Sequence, residues 1–336
     1  MPAQFGLFRR CGLKLLDSSF SSTLALAQLF EPLSPDLAVL QLSVGKLEGR
    51  LRIYSLGAFR LSLLESSQAL FLSGQRNPER ITMALELSSQ VDPSNHRAQG
   101  GMRPGHSLMG FNLKLQDFDL QLPAGTKLCS LLFPREMLLG HLRRKACHLA
   151  LERLEHSNVL ELSDELTAQF LPLLHSITTQ ADGGLQPDSA DRLLELVLSC
   201  FSDQRAEIFP VAFREDRHQA ALALLHHSFK RPEEVQSVKQ LCEILHYSRS
   251  SLFKGCQEHF GITPLVLQRS VRLDRVRSLL IDPLLRAREG LEGVTDVAKR
   301  LGFTSRSHFA RHYRKRFLEL PAETLRGSGS AGINLT

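Results

Sequence analysis

The stretch VKQLCEILHYSRSSLFKGCQEHFGITP, residues 238–264, returns as VTDVAKRLGFTSRSHFARHYRKRFLELP, residues 294–321. In the first copy Val238, Leu241, Cys242 and Leu245 mark one face of a short helix, and His246-Tyr247-Ser248 makes a turn. A second helix follows with Leu252, Cys256 and Phe260 inward, closed by Gly261-Ile262-Thr263-Pro264. In the second copy Val294, Val297, Ala298 and Leu301 mark the first helix, and Gly302-Phe303-Thr304 is its turn. Phe309, Tyr313 and Phe317 then face inward before Pro321. Val238 to Val294 is a shift of 56, whereas Leu252 to Phe309 is a shift of 57, so the second copy is one residue longer.

Each copy has the parts of a helix-turn-helix. A short helix packs across a compact turn, such as that at Gly302, onto a second one. Ser248 and Thr304 are expected to cap the second helices and to present their N-termini towards phosphate. Between the copies, Leu265 to about Ile281 reads as one helix carrying Val266, Arg269, Arg272, Arg275 and Arg277. At about 1.5 Å per residue it spans roughly 25 Å. A rigid spacer of that size sets two reading helices about one DNA turn, roughly 34 Å, apart.

Charge is distributed in the same sense. The chain of 336 residues carries a formal +6, while residues 230–326 alone hold 19 basic and 11 acidic residues, a net +8. A basic segment on a near-neutral body is the electrostatic footprint of a nucleic-acid-binding module.

These residues resemble the AraC/XylS family of bacterial regulators. The resemblance is carried by Ser248-Arg249-Ser250-Ser251-Leu252-Phe253-Lys254 with Phe260-Gly261-Ile262-Thr263-Pro264. Its second half is Val294-Thr295-Asp296-Val297-Ala298 with Leu301-Gly302-Phe303-Thr304, Ser307, Phe309, Arg311 and Phe317. Two positions depart from that family's pattern: Cys256 stands where it usually has Phe, and Leu318 where it usually has Gly. The resemblance implies that Ser250, Phe253 and Lys254 in the first copy, and Arg306, Ser307 and Arg311 in the second, read bases. Arg or Lys can bind the O6 and N7 edge of guanine, which makes Lys254 and Arg311 the sharpest candidates. Ser248, Arg249, Thr304, Arg314 and Lys315 are expected to contact phosphate, which positions without reading.

Upstream, the fold expected is α+β. Residues 1–229 are read as a strand-rich, barrel-like regulatory domain followed by dimerisation helices, residues 230–326 as the double helix-turn-helix domain, and residues 327–336 as a flexible tail. Strands are expected over about 38–133, where Leu51-Arg52-Ile53-Tyr54, Phe59-Arg60-Leu61-Ser62-Leu63 and Ala69-Leu70-Phe71-Leu72 lie between breakers including Gly45, Gly49, Gly57 and Gly74. Pro93 to Gly105 reads as an exposed loop. Helices are expected over about 135–229: Arg135 to about Glu155, Asp164 to Gln180 capped by Ser163, one capped by Asp188 or Ser189, and about Glu215 to Phe229. The resemblance implies that this part binds a small-molecule effector of unstated identity and dimerises. Residues 44–50 are also similar to the ethanolamine-operon regulator branch, from which no effector is carried over.

Other classes fit less well. Gly105-His106-Ser107-Leu108-Met109-Gly110 has one residue too many for a nucleophile elbow, HExxH and the phosphate-binding GxxxxGK[ST] are absent from the sequence, and a GxGxxG occurs only at Gly327 to Gly332, with no strand-like apolar run before it. No catalytic residue is assigned. His308 and His312 have metal-pair spacing without a third ligand nearby, and the HxH pair of a metal-binding cupin barrel is missing, so no metal and no cofactor are expected. His226 and His227 read as surface or interface residues. Cys11, Cys129, Cys147, Cys200, Cys242 and Cys256 are scattered without a CxxC pair, as free thiols in a reducing compartment would be. With no apolar run of membrane-spanning length and no cleavable leader, a cytoplasmic protein is expected. The function expected is an effector-responsive, dimeric activator bound to a double-stranded DNA operator and in contact with RNA polymerase. The alternative is a ligand-independent DNA-binding regulator or repressor.

Overall fold

The computed structural model describes residues 13–88, 91, 96–102, 105–179 and 188–328. A strand β1 (Leu13–Phe20) and a short helix α1 (Thr23–Phe30), capped by Ser22, precede the strands read from the sequence. Then come β2 (Ala38–Gln41), β3 (Gly49–Leu56), β4 (Phe59–Ser66), β5 (Leu70–Gln75) and β6 (Arg80–Glu86). After them lie β7 (Arg97–Ala98), β8 (Gly101–Met102), β9 (Ser107–Met109), β10 (Asp117–Leu122) and β11 (Lys127–Pro134). The sequence supplies two-residue turns where it must reverse sharply, as at Gly57, whose φ of +77° joins β3 to β4 without strain.

Two antiparallel sheets result rather than one closed barrel. One runs β1-β3-β4-β11-β6-β9 and continues through β12 (Val159–Glu161) and β13 (Ile208–Phe209); the other runs β2-β5-β10-β7-β8. The segment expected to be an exposed loop instead holds the β7–β8 hairpin, turning at Gln99 and Gly100, with His96 and Gln99 buried. Residues 92–95 and 103–104 of that loop lie outside the described residues.

Period-two alternation explains the layering. On β11, Cys129, Leu131 and Phe133 face a helical layer, while Leu128 and Leu132 face the second sheet. That layer consists of α2 (Arg135–Arg144), α3 (His148–His156), α4 (Asp164–Thr179) and α5 (Ser189–Ser202). The single helix expected from Arg135 to Glu155 is broken between α2 and α3, where Ala146 takes φ +53°. Burial on both faces is why β4 and β11 read as near-continuous apolar runs. Ser163 caps α4 by accepting from Leu166 N at 3.3 Å, whereas Asp188 holds the N-cap place of α5 with no side-chain cap bond.

On the second sheet the inward Val39, Leu70, Leu72 and Leu122 close the inter-sheet core. The outward Ala38, Leu40 and Phe71 pack against helices of the C-terminal third. Those helices are α6 (Asp216–Lys230), α7 (Val238–Leu245), α8 (Arg249–Phe260) and α9 (Pro264–Ile281). They are followed by α10 (Pro283–Arg288), α11 (Val294–Arg300), α12 (Arg306–Phe317) and α13 (Pro321–Ser328). α13 takes in residues 327 and 328 of the expected tail, and residues 329–336 lie outside the described residues. α6 lies before the second domain in sequence but shares its core with the first helix-turn-helix: Ala221, Leu224 and Leu225 meet Leu241, Leu252 and Cys256. A Cβ at Gly255 of α8 would sit 1.9 Å from the Arg217 carbonyl oxygen, so only glycine permits this crossing. None of the described cysteines is disulfide-bonded, and Cys11 lies outside the described residues. No helix among them is long and apolar enough to cross a membrane.

Candidate nucleic-acid interface

The two units are built by the same local devices. Ser237 and Gln240 form a capping box at the start of α7, which ends on His246 in the left-handed region at φ +59°. Fifty-six residues on, Gly302 takes φ +74° at the end of α11. Ser248 caps α8 by accepting from Ser251 N at 3.0 Å. In the second unit the cap is Ser305, not Thr304: its hydroxyl accepts from His308 N at 3.4 Å, and Thr304 stands exposed one residue before it. The shift from Ser248 to Ser305 is 57, which places the extra residue of the second copy in the turn after Gly302. Both reading helices end in the left-handed region, α8 at Gly261 (φ +68°) and α12 at Leu318 (φ +59°).

The linking helix α9 belongs to two cores. Leu267 and Val271 join the first unit, whereas Leu273, Val276, Leu279 and Leu280 join Phe309, Tyr313 and Phe317 of the second. Three of its four arginines are structural. Arg272 lies over the Phe303 ring at 4.8 Å and donates to the Leu301 carbonyl at 3.3 Å. Arg277 pairs with Glu319 and covers Phe317 at 5.0 Å. Arg275 pairs with Glu289.

The residues expected to face DNA are disposed differently. Ser248, Arg249, Ser250 and Lys254 on the first unit are exposed, and so are Thr304, Arg306, Ser307, Arg311, Arg314 and Lys315 on the second. Ser250 and Lys254, like Ser307 and Arg311, are four residues apart and share a helix face. Phe253 is half-buried, with the Arg249 guanidinium 5.5 Å from its ring centre. Among the described residues, Lys254, Arg306, Arg311, Arg314 and Lys315 have no carboxylate within ion-pair distance. Their neighbour Arg316 is clamped by Asp274 at 2.7 Å. The exposed cations of each reading helix are therefore free for an external anion, while those that hold the fold are engaged by carboxylates, a carbonyl or an aromatic ring.

His308 is exposed, and His312 lies 3.5 Å from Arg269 Nη1 with burial pulling its pKa down. Among the described residues no cluster of three metal-binding side chains includes them. Of the histidines read as surface or interface residues, His226 meets Ser73 Oγ at 3.0 Å and His227 meets Gln236 at 2.7 Å.

Two further features border the heads. Glu215, Asp216, Arg217 and the exposed Phe213 line a groove with Ser250, Ser251 and Lys254. The turn after β2 grips the second unit: Arg316 Nη2 donates to the Gln41 carbonyl at 2.9 Å, Gly45 N donates to the Arg316 carbonyl at 2.9 Å, and Lys46 pairs with Glu319 at 2.8 Å. No periodicity in the sequence announces either contact, because each joins segments far apart in the chain.

Residues 241–327 match a family described as a helix-turn-helix domain. The chain carries an AraC-type helix-turn-helix domain. Over 90 residues it is 36% identical to the XylDLEGF operon transcriptional activator of Pseudomonas putida, covering 27% of each chain. Over 177 residues it is 28% identical to a probable thc operon regulatory protein of Rhodococcus erythropolis, covering 50% of this chain and 51% of that one. The AraC-like transcriptional activator CuxR overlays 82% of this chain and 97% of its own with a TM-score of 0.40 and 14% identity. The matched stretches thus span between about a quarter and a half of the lengths of these two sequence relatives.

Proposed function

We propose that the protein is a sequence-specific DNA-binding transcription regulator that inserts α8 and α12 into successive major grooves. The observation that carries this reading is the division of labour among the cations. Arg272, Arg275, Arg277 and Arg316 hold the domain, while Lys254, Arg306 and Arg311 point outward from two capped helices without carboxylate partners. Base-reading by Ser250, Phe253, Lys254, Arg306, Ser307 and Arg311, and phosphate contact by Ser248, Arg249, Thr304, Arg314 and Lys315, are parts of this proposal.

The protein acts in the cytoplasm as an effector-responsive activator and forms a homodimer. An apolar cavity of about 120 Å3 between the two sheets supports the first point. The exposed Ile208 and Phe209 on the edge strand β13 support the second. Regulation by contact with RNA polymerase fits the activators among its sequence relatives.

Selection of bound duplexes from a random pool, followed by titration of the winner against salt, tests the reading. Log K is expected to fall with log salt by about 0.9 per phosphate neutralised, and the winning sequences to contain two short blocks about one helical turn apart. A pool that yields no enriched sequence at any salt concentration sinks it.

A further inference from the structure

The inter-sheet cavity has a cation at its neck. Arg76, just beyond β5, lines the apolar cavity together with Phe30, Leu33, Leu72, Phe118 and Leu120. It also lines a polar cleft of about 540 Å3 with Arg80, Lys114 and Arg135. The Arg76 guanidinium donates to the Asn112 carbonyl at 3.2 Å, and among the described residues it has no carboxylate at ion-pair distance. The acid that acts on it electrostatically, Asp117, is itself held by Arg214 at 2.8 Å. Burial, then the neighbouring Arg135, pulls its pKa down to about 10, the mark of a desolvated cation short of compensating charge. Arg76 is half-buried and borders both spaces, so an arriving anion meets a partly desolvated cation that no carboxylate pairs.

The cavity's size and lining limit what that anion can be. An apolar cavity of about 150 Å3 takes one benzene ring, so this one suits a hydrocarbon body of about five or six carbons. A guanidinium presents a planar fork that takes both oxygens of a carboxylate. Asp119 also borders the cavity, but its carboxylate is engaged by Arg214 at 2.7 Å and His218 at 3.3 Å. We infer that the cavity binds a small organic carboxylate, its body among Leu72, Phe118 and Leu120 and its charged end on Arg76. As a regulatory site this rests on the effector-responsive reading above; as a binding site it rests on the cavity alone. The strands that line it lead outward to the first DNA-reading unit. Phe71 of β5 meets Phe260 of α8 edge-on at 4.9 Å, and Ser73 meets His226 of α6 at 3.0 Å.

Calorimetric titration of the full chain with cyclohexanecarboxylate and hexanoate, beside their neutral carboxamides, tests the inference. The acids should bind at least about ten-fold tighter than the amides, a difference of about 1.4 kcal/mol. Arg76→Gln should erase the difference and Arg76→Lys should keep part of it. Ser130→Leu, which fills the cavity from the opposite sheet, should block acid and amide alike with Arg76 intact, so the test survives if the Arg76 variants fail to fold. Equal binding of acid and amide, undiminished binding to Arg76→Gln, or no binding by any acid of four to eight carbons overturns the proposal. The two readings separate in a DNA titration. Acids that bind without altering DNA affinity leave the site and remove its regulatory role. A neutral compound that fills the cavity and alters DNA affinity keeps the sensor and removes the carboxylate.

Discussion

The imidazoles of His218 on α6 and His259 on α8 lie with ring centres 3.9 Å apart and their planes tilted by 34°, and His218 Nε2 lies 3.3 Å from Asp119 Oδ2 on β10. The pair thus joins the second sheet to the first reading helix. Burial, then the neighbouring His218, pulls the pKa of His259 down to about 4.

Acid should therefore loosen this junction. An unfolded chain takes up a proton on histidine near pH 6.5, whereas folded His259 resists it until about pH 4, so between those values the unfolded state binds more protons. The contribution is complete above pH 6.5 and is lost as pH falls towards 4. Urea unfolding at pH 7.5 and pH 5 should show a smaller loss of stability for His259→Phe, which keeps a ring at that place, than for the native chain. Equal losses would exclude His259 as the source.

Arg311 and Arg314 are expected to separate reading from positioning. Arg311→Ala should weaken binding to the selected operator by about 1–3 kcal/mol and relax preference at one base pair. Arg314→Ala should weaken binding to all sequences alike and lower the salt slope by about one contact. A uniform loss for both variants would leave Arg311 as a phosphate contact.

The C-caps of the reading helices offer a stability test free of DNA. Leu318 occupies the left-handed region at φ +59° and is 69% exposed, so it has backbone strain and little burial to offset it. Leu318→Gly removes a cost of about 1–2 kcal/mol, less the greater freedom glycine has when unfolded, for a net gain of about 0.5–1 kcal/mol. Gly261 takes the same conformation with no atom within 4 Å of an added Cβ. Gly261→Ala should cost about 1 kcal/mol through the backbone alone. Thermal unfolding of the two variants should move in opposite directions.

Arg316 and Asp274 form a buried ion pair of the second unit, bonded at 2.7 and 2.8 Å, with a further bond from Arg316 to Ser270 Oγ at 3.1 Å. Arg316→Ala strands a buried carboxylate and should cost about 3–5 kcal/mol, whereas Arg316→Met combined with Asp274→Leu should restore most of it. If the single and double variants unfold alike, the pair's charge is not what holds α12 to α9.

The reading heads were legible in the sequence because apolar period, turn and closing proline recur together at a nearly constant shift. The cap was missed by one residue because Thr304 and Ser305 are both competent, and the extra residue of the second copy falls between Gly302 and the helix. The run Arg314-Lys315-Arg316 shows the limit differently. Arg314 and Lys315 are expected to meet phosphate and nothing in the sequence sets Arg316 apart from them, yet a helix turns about 100° per residue, so Arg316 faces Asp274 while Arg314 and Lys315 face outward. β1 and α1 escaped because neither shows a clean alternation or a polar face. The junction of Phe71 with Phe260 is hidden inside an apolar run that the sheet alone would explain.

The linking helix α9 is 18 residues long and is anchored in a separate core at each half, Val271 in one and Leu273 in the next. It cannot lengthen or twist without breaking one of them. One base pair added between two half-sites turns one of them by about 34–36° and shifts it by about 3.4 Å. Operators of such a protein can therefore drift in the letters of each block, at about 1–3 kcal/mol per mismatch, far more readily than in the number of letters between them.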